Sequence, residues 1–145
     1  MYQAIERFTD IEAPSEARQS PARQCLKVLY VEDDISSQYL VVQACKRRKQ
    51  WDLQIASTLE QGLEQLTDVP DVILLGMDRL DGSDYELFDH IRETESLRGI
   101  PVIAVTAKDL RAKLEEGSGA GFSAFVTKPF NLNTLLVNIE TCTGL

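Results

Sequence analysis

The sequence has few of the residues that build disulfide frameworks, zinc sites or membrane spans. Of its 145 residues only three are cysteines, and none of them has the Cys-x-x-Cys spacing of metal or redox motifs. An odd number of unpaired cysteines argues against a disulfide scaffold, so a reducing cytoplasm is the expected location. No apolar run approaches the ~20 residues that cross a bilayer, and the N-terminus carries acids in place of a secretory apolar segment. We therefore expect a cytoplasmic protein without a membrane partner.

Positive charge is also scarce. The chain has 15 basic and 23 acidic residues, which gives a formal net charge of −8. Its one basic run, Lys46-Arg47-Arg48-Lys49, lies at the end of a predicted helix, where cations offset the negative end of the helix dipole. Without a basic stripe, direct binding of nucleic acid is not expected.

The first 24 residues differ in character from the rest of the chain. Tyr2, Ile5 and Phe8 are spaced as on one side of a short helix, and the polar stretch that follows is broken by Pro14 and Pro21. We therefore divide the chain into an N-terminal arm or linker at residues 1–24, with a candidate short helix, and a single domain at residues 25–145.

Short apolar segments alternate with helical patterns from Cys25 onward. The predicted strands are Leu26–Val31, a brief strand at Leu53 and Ile55, Val72–Leu75, Val102–Val105 and Phe122–Val126. The third is a continuous apolar run, which is typical of a parallel strand covered on both faces. Strands and helices in alternation predict a parallel sheet with helices on both sides.

Apolar residues at helical spacing mark the helices between these strands. They are Ile35, Tyr39 and Val42, ending near Arg48; Leu59, Leu63 and Leu66; Leu87, Phe88 and Ile91; Leu110 and Leu114; and Leu132, Leu135, Leu136 and Ile139. Thr58 with Gln61 and Ser83 with Glu86 have the spacing of capping boxes, and Asn131 is placed to cap the last helix.

Polar residues with complementary chemistry follow the predicted strands, where ligands collect in an open parallel sheet. The first strand ends in Glu32-Asp33-Asp34, the fourth runs into Thr106 and the fifth into Lys128. The acidic triplet has two readings: Asp34 as a helix cap, or carboxylates that bind Mg²⁺. A hydroxyl and an ammonium facing an acidic pair are suited to a phosphoryl group, whose oxygens they contact while the carboxylates hold the metal.

These segments together resemble response-regulator receiver domains over roughly residues 25–142. LKVLYVEDD resembles the family's first strand with its acidic pair at Glu32 and Asp33, and PDVILL resembles its third strand. IPVIAVTA carries the family's hydroxyl residue at Thr106, and FVTKPF carries its lysine at Lys128. The resemblance implies an α/β fold, a doubly wound (βα)5 flavodoxin-like sandwich with a central five-stranded parallel sheet. It also implies a cis peptide bond before Pro129 and an aromatic at Phe125 that changes rotamer upon activation.

One position departs from the family pattern in a way that changes the chemistry. Gly76 stands where the family carries its phosphoacceptor aspartate. Glycine has no carboxylate to attack a phosphohistidine, so the chain is interpreted as a pseudo-receiver. A metal ligand is lost as well, so Mg²⁺ binding by Glu32 and Asp33 is expected to be weak or absent, and no cofactor is required.

Asp78 is the nearest substitute for the missing carboxylate. Two residues along a strand span about 6.6 Å, so Asp78 is expected to sit poorly between Thr106 and Lys128 unless the loop folds back. We expect it to hold a cation or to form a nearby salt bridge. Lys128, without a phosphoryl group or metal to compete for it, is expected to pair with Glu32 or Asp33.

The leading interpretation is a non-enzymatic interaction module of a two-component or phosphorelay pathway. Its partner would be a histidine kinase, a phosphotransfer protein or an output protein. One alternative is a phosphoacceptor that uses Asp78 or another carboxylate with Mg²⁺; a second is an anion or small-molecule sensor that uses the vacated pocket. By resemblance, the switch and partner face lies at the fourth predicted helix, the fifth strand and the last helix, and includes Phe125, Lys108, Asp109 and Arg111.

Overall fold

Strands and helices alternate throughout the part of the chain that the computed structural model describes, residues 25–78, 82–107 and 121–145. The elements are β1 (Leu26–Val31), α1 (Ile35–Cys45), β2 (Trp51–Ala56), α2 (Leu59–Gln65), β3 (Val72–Gly76), α3 (Ser83–Glu93), β4 (Val102–Ala107), β5 (Ala124–Lys128) and α4 (Leu132–Thr143). The predicted arm at residues 1–24 and the predicted helix at Leu110 and Leu114 lie outside the described residues. None of the helices described is long and apolar enough to cross a membrane.

The strands form a single parallel sheet in the order β2-β1-β3-β4-β5. The predicted doubly wound fold is therefore confirmed. The chain steps outward from β1 to β2 and then crosses back to β3, so the direction of winding reverses between β1 and β3. In such sheets the crevice for ligands lies at the carboxyl ends of the strands beside that reversal.

The core consists of two apolar clusters, one on each face of the sheet. Successive side chains of a strand point to opposite faces. Leu29 and Val31 accordingly join the cluster under α2 and α3, whereas Val28 and Tyr30 join the cluster under α1 and α4. Every residue of β3 is buried, as its continuous apolar run predicted.

Side-chain caps begin three of the helices. Asp34 accepts a hydrogen bond from the backbone N–H of Ser37 (2.9 Å), and Thr58 and Asn131 cap α2 and α4 in the same way. The predicted capping box at Ser83 and Glu86 is wrong. The N-cap of α3 is Gly82, which adopts φ 83° and makes no side-chain cap, because the chain enters this helix through a left-handed turn that favours glycine.

The predicted apolar stripe of α1 does not face the sheet. Ile35 and Tyr39 are 77% and 62% exposed, and the buried positions of the helix are Ser37, Val41, Ala44 and Cys45. Small residues allow this helix to lie close to the sheet, so side-chain hydrophobicity alone assigned the wrong face. The helix also ends at Cys45, short of the predicted end near Arg48.

Smaller corrections apply to α2 and to the last two strands. Leu63 is partly exposed, and Gly62 takes the inward position of α2 against Leu87. β4 continues to Ala107, beyond its predicted end. β5 begins at Ala124, later than predicted, because Phe122 is buried in a ring stack with Phe88 (centroids 4.3 Å apart) before the strand begins.

Candidate functional site

The parallel sheet brings the predicted site residues to one edge. Glu32 directly follows β1, Gly76 ends β3, Thr106 is the penultimate residue of β4, and Lys128 ends β5. These strands are consecutive neighbours in the sheet. Residues that are far apart in sequence therefore meet at the crevice.

Glu32 is a buried carboxylate, only 4% exposed, with partners for both of its oxygens. Its Oε1 accepts hydrogen bonds from the Tyr30 hydroxyl (3.0 Å) and from Lys128 Nζ (2.9 Å). Its Oε2 accepts one from the backbone N–H of Asp34 (3.2 Å). A buried charge is tolerated only when it is paired and hydrogen-bonded in this way.

Tyr30 is a site residue that sequence reasoning missed. It is fully buried, and that burial, together with the Glu32 charge, raises the pKa of its hydroxyl, which therefore remains a hydrogen-bond donor. Tyr30 lies two residues before Glu32, and alternate residues of a strand share a face. That spacing was the available signal, because Tyr30 is polar at one end and is surrounded in the strand by Val28, Leu29 and Val31.

Lys128 joins two acidic side chains. Its Nζ lies 2.9 Å from Glu32 Oε1 and 3.1 Å from Asp78 Oδ2. Burial lowers the pKa of Lys128, but the hydrogen bonds and charges of Glu32 and Asp78 outweigh it and raise the pKa overall. The predicted pairing of Lys128 with Glu32 is confirmed, and the lysine remains an ammonium.

Glu32 occupies the space that a side chain at position 76 would need. A Cβ added to Gly76 would lie 2.5 Å from Glu32 Oε1 and 3.0 Å from Glu32 Cδ. It would also lie 3.1 Å from the backbone oxygen of Val31. At position 76 itself, β3 therefore contributes only backbone, and a carboxylate from the end of β1 fills the space beside it.

The expectation that Asp78 sits poorly between Thr106 and Lys128 is wrong. Its Oδ1 accepts hydrogen bonds from Thr106 Oγ1 (2.8 Å) and from the Ala107 backbone N–H (3.0 Å), while Oδ2 faces Lys128. The reason is the register of β3 and β4. Gly76 pairs with Val105, so a residue two positions beyond Gly76 is level with Ala107. Because Asp78 lies two residues beyond Gly76, it is placed beside the end of the neighbouring strand β4.

The carboxylates present do not fit the Mg²⁺ site that the resemblance implies. Both oxygens of Glu32 and both oxygens of Asp78 already accept hydrogen bonds or face the Lys128 ammonium. Asp33 is exposed beside them. Within the described ranges, no group of three or more His, Cys, Asp or Glu side chains is arranged to hold a metal ion.

The predicted switch and partner face is described only in part. Phe125 is half-buried and packs against Phe122, with ring centroids 5.5 Å apart. The peptide bond between Lys128 and Pro129 is cis, as the resemblance implied. Lys108, Asp109 and Arg111 lie outside the described residues.

Comparison with known proteins agrees with this geometry. The family model of the response regulator receiver domain matches residues 28–140 of this chain. The sensor histidine kinase CheAY of Helicobacter pylori is 28% identical over 68% of this chain, and the polar-differentiation response regulator DivK of Brucella ovis is 32% identical over 52%. The chain matches 13% of the length of CheAY and 61% of DivK.

Solved structures show the same fold. The chemotaxis response regulator CheY4 of Vibrio cholerae superposes with a TM-score of 0.71 at 24% identity, over 81% of this chain and 98% of that one. The family match extends over most of the chain and includes every strand end that forms the crevice. The chain therefore belongs to the response regulator receiver domain family of two-component signalling.

Proposed function

We propose that this receiver domain is a pseudo-receiver, a non-enzymatic module that binds a protein partner without being phosphorylated. The observation that carries the proposal is the position of Glu32, whose carboxylate fills the space of a side chain at Gly76. The position that would carry the nucleophile is thus without a side chain, and Glu32 must move before one can be placed there.

Phosphoryl transfer to a receiver needs a carboxylate nucleophile, a metal and donors that contact the transferred oxygens. Here the nucleophile is replaced by glycine. The Lys128 ammonium is already paired with Glu32 and Asp78, and Glu32 is one of the two carboxylates that the resemblance assigns to the metal. Weak or absent Mg²⁺ binding, and no required cofactor, are parts of the proposal.

The partner is proposed to be a protein of a histidine-kinase pathway: a kinase, a phosphotransfer protein or an output protein. Support comes from the relatives, which include a sensor histidine kinase and a response regulator. The net charge of −8 disfavours direct contact with nucleic acid. A cytoplasmic location is included, because free cysteines suit a reducing compartment.

The second candidate is a phosphoacceptor that uses Asp78. Its placement between Thr106 and Lys128 favours this reading. Against it, both Asp78 oxygens already hold the donors that a phosphoryl group on this residue would require. Because Asp78 already takes these donors, the pocket is not vacant, which argues against the alternative of an anion or small-molecule sensor.

Incubation with acetyl phosphate and Mg²⁺, read by intact mass, tests the proposal. The samples are the wild type, Asp78→Ala and, in parallel, a receiver domain that accepts phosphate from this donor. We expect the wild type to stay unmodified while the parallel receiver gains a phosphoryl group. A wild type that gains it, and loses it on Asp78→Ala, would establish Asp78 as acceptor. A gain in both would point to another carboxylate, and either gain would reject the proposal.

A further inference from the structure

Three hydrogen-bond donors from two strand ends converge on one side chain at the crevice. The Thr106 hydroxyl and the Ala107 backbone N–H point to Asp78 Oδ1 at 2.8 and 3.0 Å. The Lys128 ammonium lies 3.1 Å from Asp78 Oδ2. A hydroxyl, an amide and an ammonium directed at one point form an oxyanion site, since each donates and one carries positive charge.

The donors of this site need an acceptor to complete their hydrogen bonding, and the Lys128 ammonium favours an acceptor that is an anion. Thr106 is fully buried, and a buried hydroxyl without a partner is unfavourable. Two carboxylates share the Lys128 ammonium, because Lys128 contacts Glu32 as well as Asp78. Asp78 thus supplies the anion that the end of β4 requires, from a position one strand away.

We propose that the Asp78 carboxylate is a built-in occupant of an oxyanion site formed by Thr106, Ala107 and Lys128, and that it closes this site to phosphate-class anions. The inference deepens the proposed function and rests on it, since it explains why the pocket takes no phosphoryl group and how its donors stay satisfied. The Asp78 carboxylate, which is part of the chain, connects the end of β4 to the end of β5 at all times. A transferred phosphoryl group would make this connection only after phosphorylation.

Competition follows from the charges. A phosphate or phosphoryl group carries between one and two negative charges and would use the same three donors. It would then lie within contact distance of the Asp78 carboxylate, and like charges at that distance repel strongly in a partly buried site. Removal of Asp78 should therefore open the site, provided that Lys128 keeps its charge.

Amide exchange and the NMR shift of Ala107, measured with and without inorganic phosphate, test the proposal. In the wild type we expect the Ala107 amide to be protected and its shift to be unaffected by millimolar phosphate. In Asp78→Ala we expect exchange about tenfold faster, since a charge-assisted hydrogen bond is lost, and a saturable phosphate-dependent shift that restores protection. Asp78→Asn, which keeps the size of the side chain, serves as a second variant in case the alanine variant unfolds.

Asp68→Ala is the matched control, because it also releases a lysine from a carboxylate, at the exposed Lys27 pair (2.9 Å). It should leave Ala107 unaffected by phosphate. The proposal is overturned if phosphate changes the NMR shift of the Ala107 amide equally in the wild type and in Asp78→Ala, since the site would then be open in both. It is equally overturned if Ala107 exchange is the same in the wild type and both Asp78 variants.

An acceptor assay adds an independent readout. In Gly76→Asp the new carboxylate oxygen can attack the phosphorus of acetyl phosphate; the bond to the acetyl oxygen breaks, acetate leaves with the electron pair, and an acyl phosphate forms. We expect Gly76→Asp/Asp78→Ala to gain more phosphoryl mass than Gly76→Asp alone. Equal or greater gain in the single variant would contradict occupancy by Asp78. A gain in the wild type would instead reject the proposed function, so the two failures are distinguishable.

Discussion

At the scale of single residues, the site is a balance between one ammonium and two carboxylates. Lys128 contacts Glu32 and Asp78, and Tyr30 adds a neutral donor to Glu32. Glu32 is the most deeply buried of these three charged groups, so the Glu32 charge depends on Lys128 for compensation more than the reverse. A buried pair contributes little relative to apolar packing, but removal of one partner leaves the other charge uncompensated.

Lys128→Met should therefore destabilise the domain by about 3 kcal/mol, the size expected when a buried ion pair loses one partner. Urea unfolding followed by circular dichroism measures the loss. The control is Lys27→Met, which removes an exposed pair with Asp68 and should change the unfolding free energy far less than Lys128→Met does. Equal losses in the two variants would show that the Glu32 charge is not buried as described.

At the scale of elements, the ends of the helices carry more local information than their faces. Thr58 and Asn131 were predicted as caps from residue type and spacing, and a cap was one of two interpretations of Asp34. Each of the three accepts the expected backbone hydrogen bond. The face of α1 was not predictable in the same way. Its exposed Ile35 and Tyr39 are larger and more apolar than its buried Ser37 and Ala44, because close packing selects for small size.

Asp34→Ala should cost about 1 kcal/mol, because the N-cap of α1 is lost, whereas Asp34→Asn should retain most of that stability. Hydrogen bonds from the Ser37 hydroxyl and backbone lower the pKa of Asp34 below its ordinary 3.8. Because this pKa is lowered in the folded state, the Asp34 charge stabilises the fold above the pKa of the unfolded state. That stabilisation is lost as the pH falls through the pKa of the folded state.

The difference in unfolding free energy between wild type and Asp34→Asn should thus be constant near neutrality and shrink below about pH 4. Urea titrations across this range measure it. A difference that grows as the solution is acidified would contradict the sign, and would mean that the Asp34 charge is unfavourable in the folded state.

At the scale of the whole molecule, the helices of the described ranges cover the two faces of the sheet in different pairs, and the site lies at the edge where the two faces meet. α1 and α4 cover one cluster, α2 and α3 the other. Cys45 is buried in the first cluster, and burial raises its pKa to about 11. Cys25, in contrast, is exposed where the described part of the chain begins.

Alkylation of the native protein near pH 8 should therefore modify Cys25 rapidly and Cys45 only when the core opens, since burial both shields the thiol and disfavours the thiolate. Peptide mass mapping over time measures the order. Labelling of Cys45 should be faster in Lys128→Met by the factor by which the lost stability raises the unfolding equilibrium constant, if labelling requires global unfolding. Equal labelling rates of Cys25 and Cys45 in the wild type would contradict the burial of α1.

The sequence by itself determined the succession of strands and helices along the chain, the caps at Thr58 and Asn131, and the chemistry at the strand ends. These features depend on residue type and on spacing within one element, so a single segment carries the information. The same local patterns located Glu32, Thr106 and Lys128 and identified their meeting edge, because parallel strands bring their carboxyl ends together. Gly76 was identified only by the resemblance to the family.

Only the tertiary structure decided which carboxylate faces which donor. Asp78 reaches Thr106 and Ala107 because Gly76 pairs with Val105 across β3 and β4, and no residue of either strand encodes that register alone. Glu32 fills the space beside Gly76 because the absence of a Cβ there lets a buried side chain from β1 approach the backbone. Both contacts join separate strands, and their geometry exists only once the sheet is assembled.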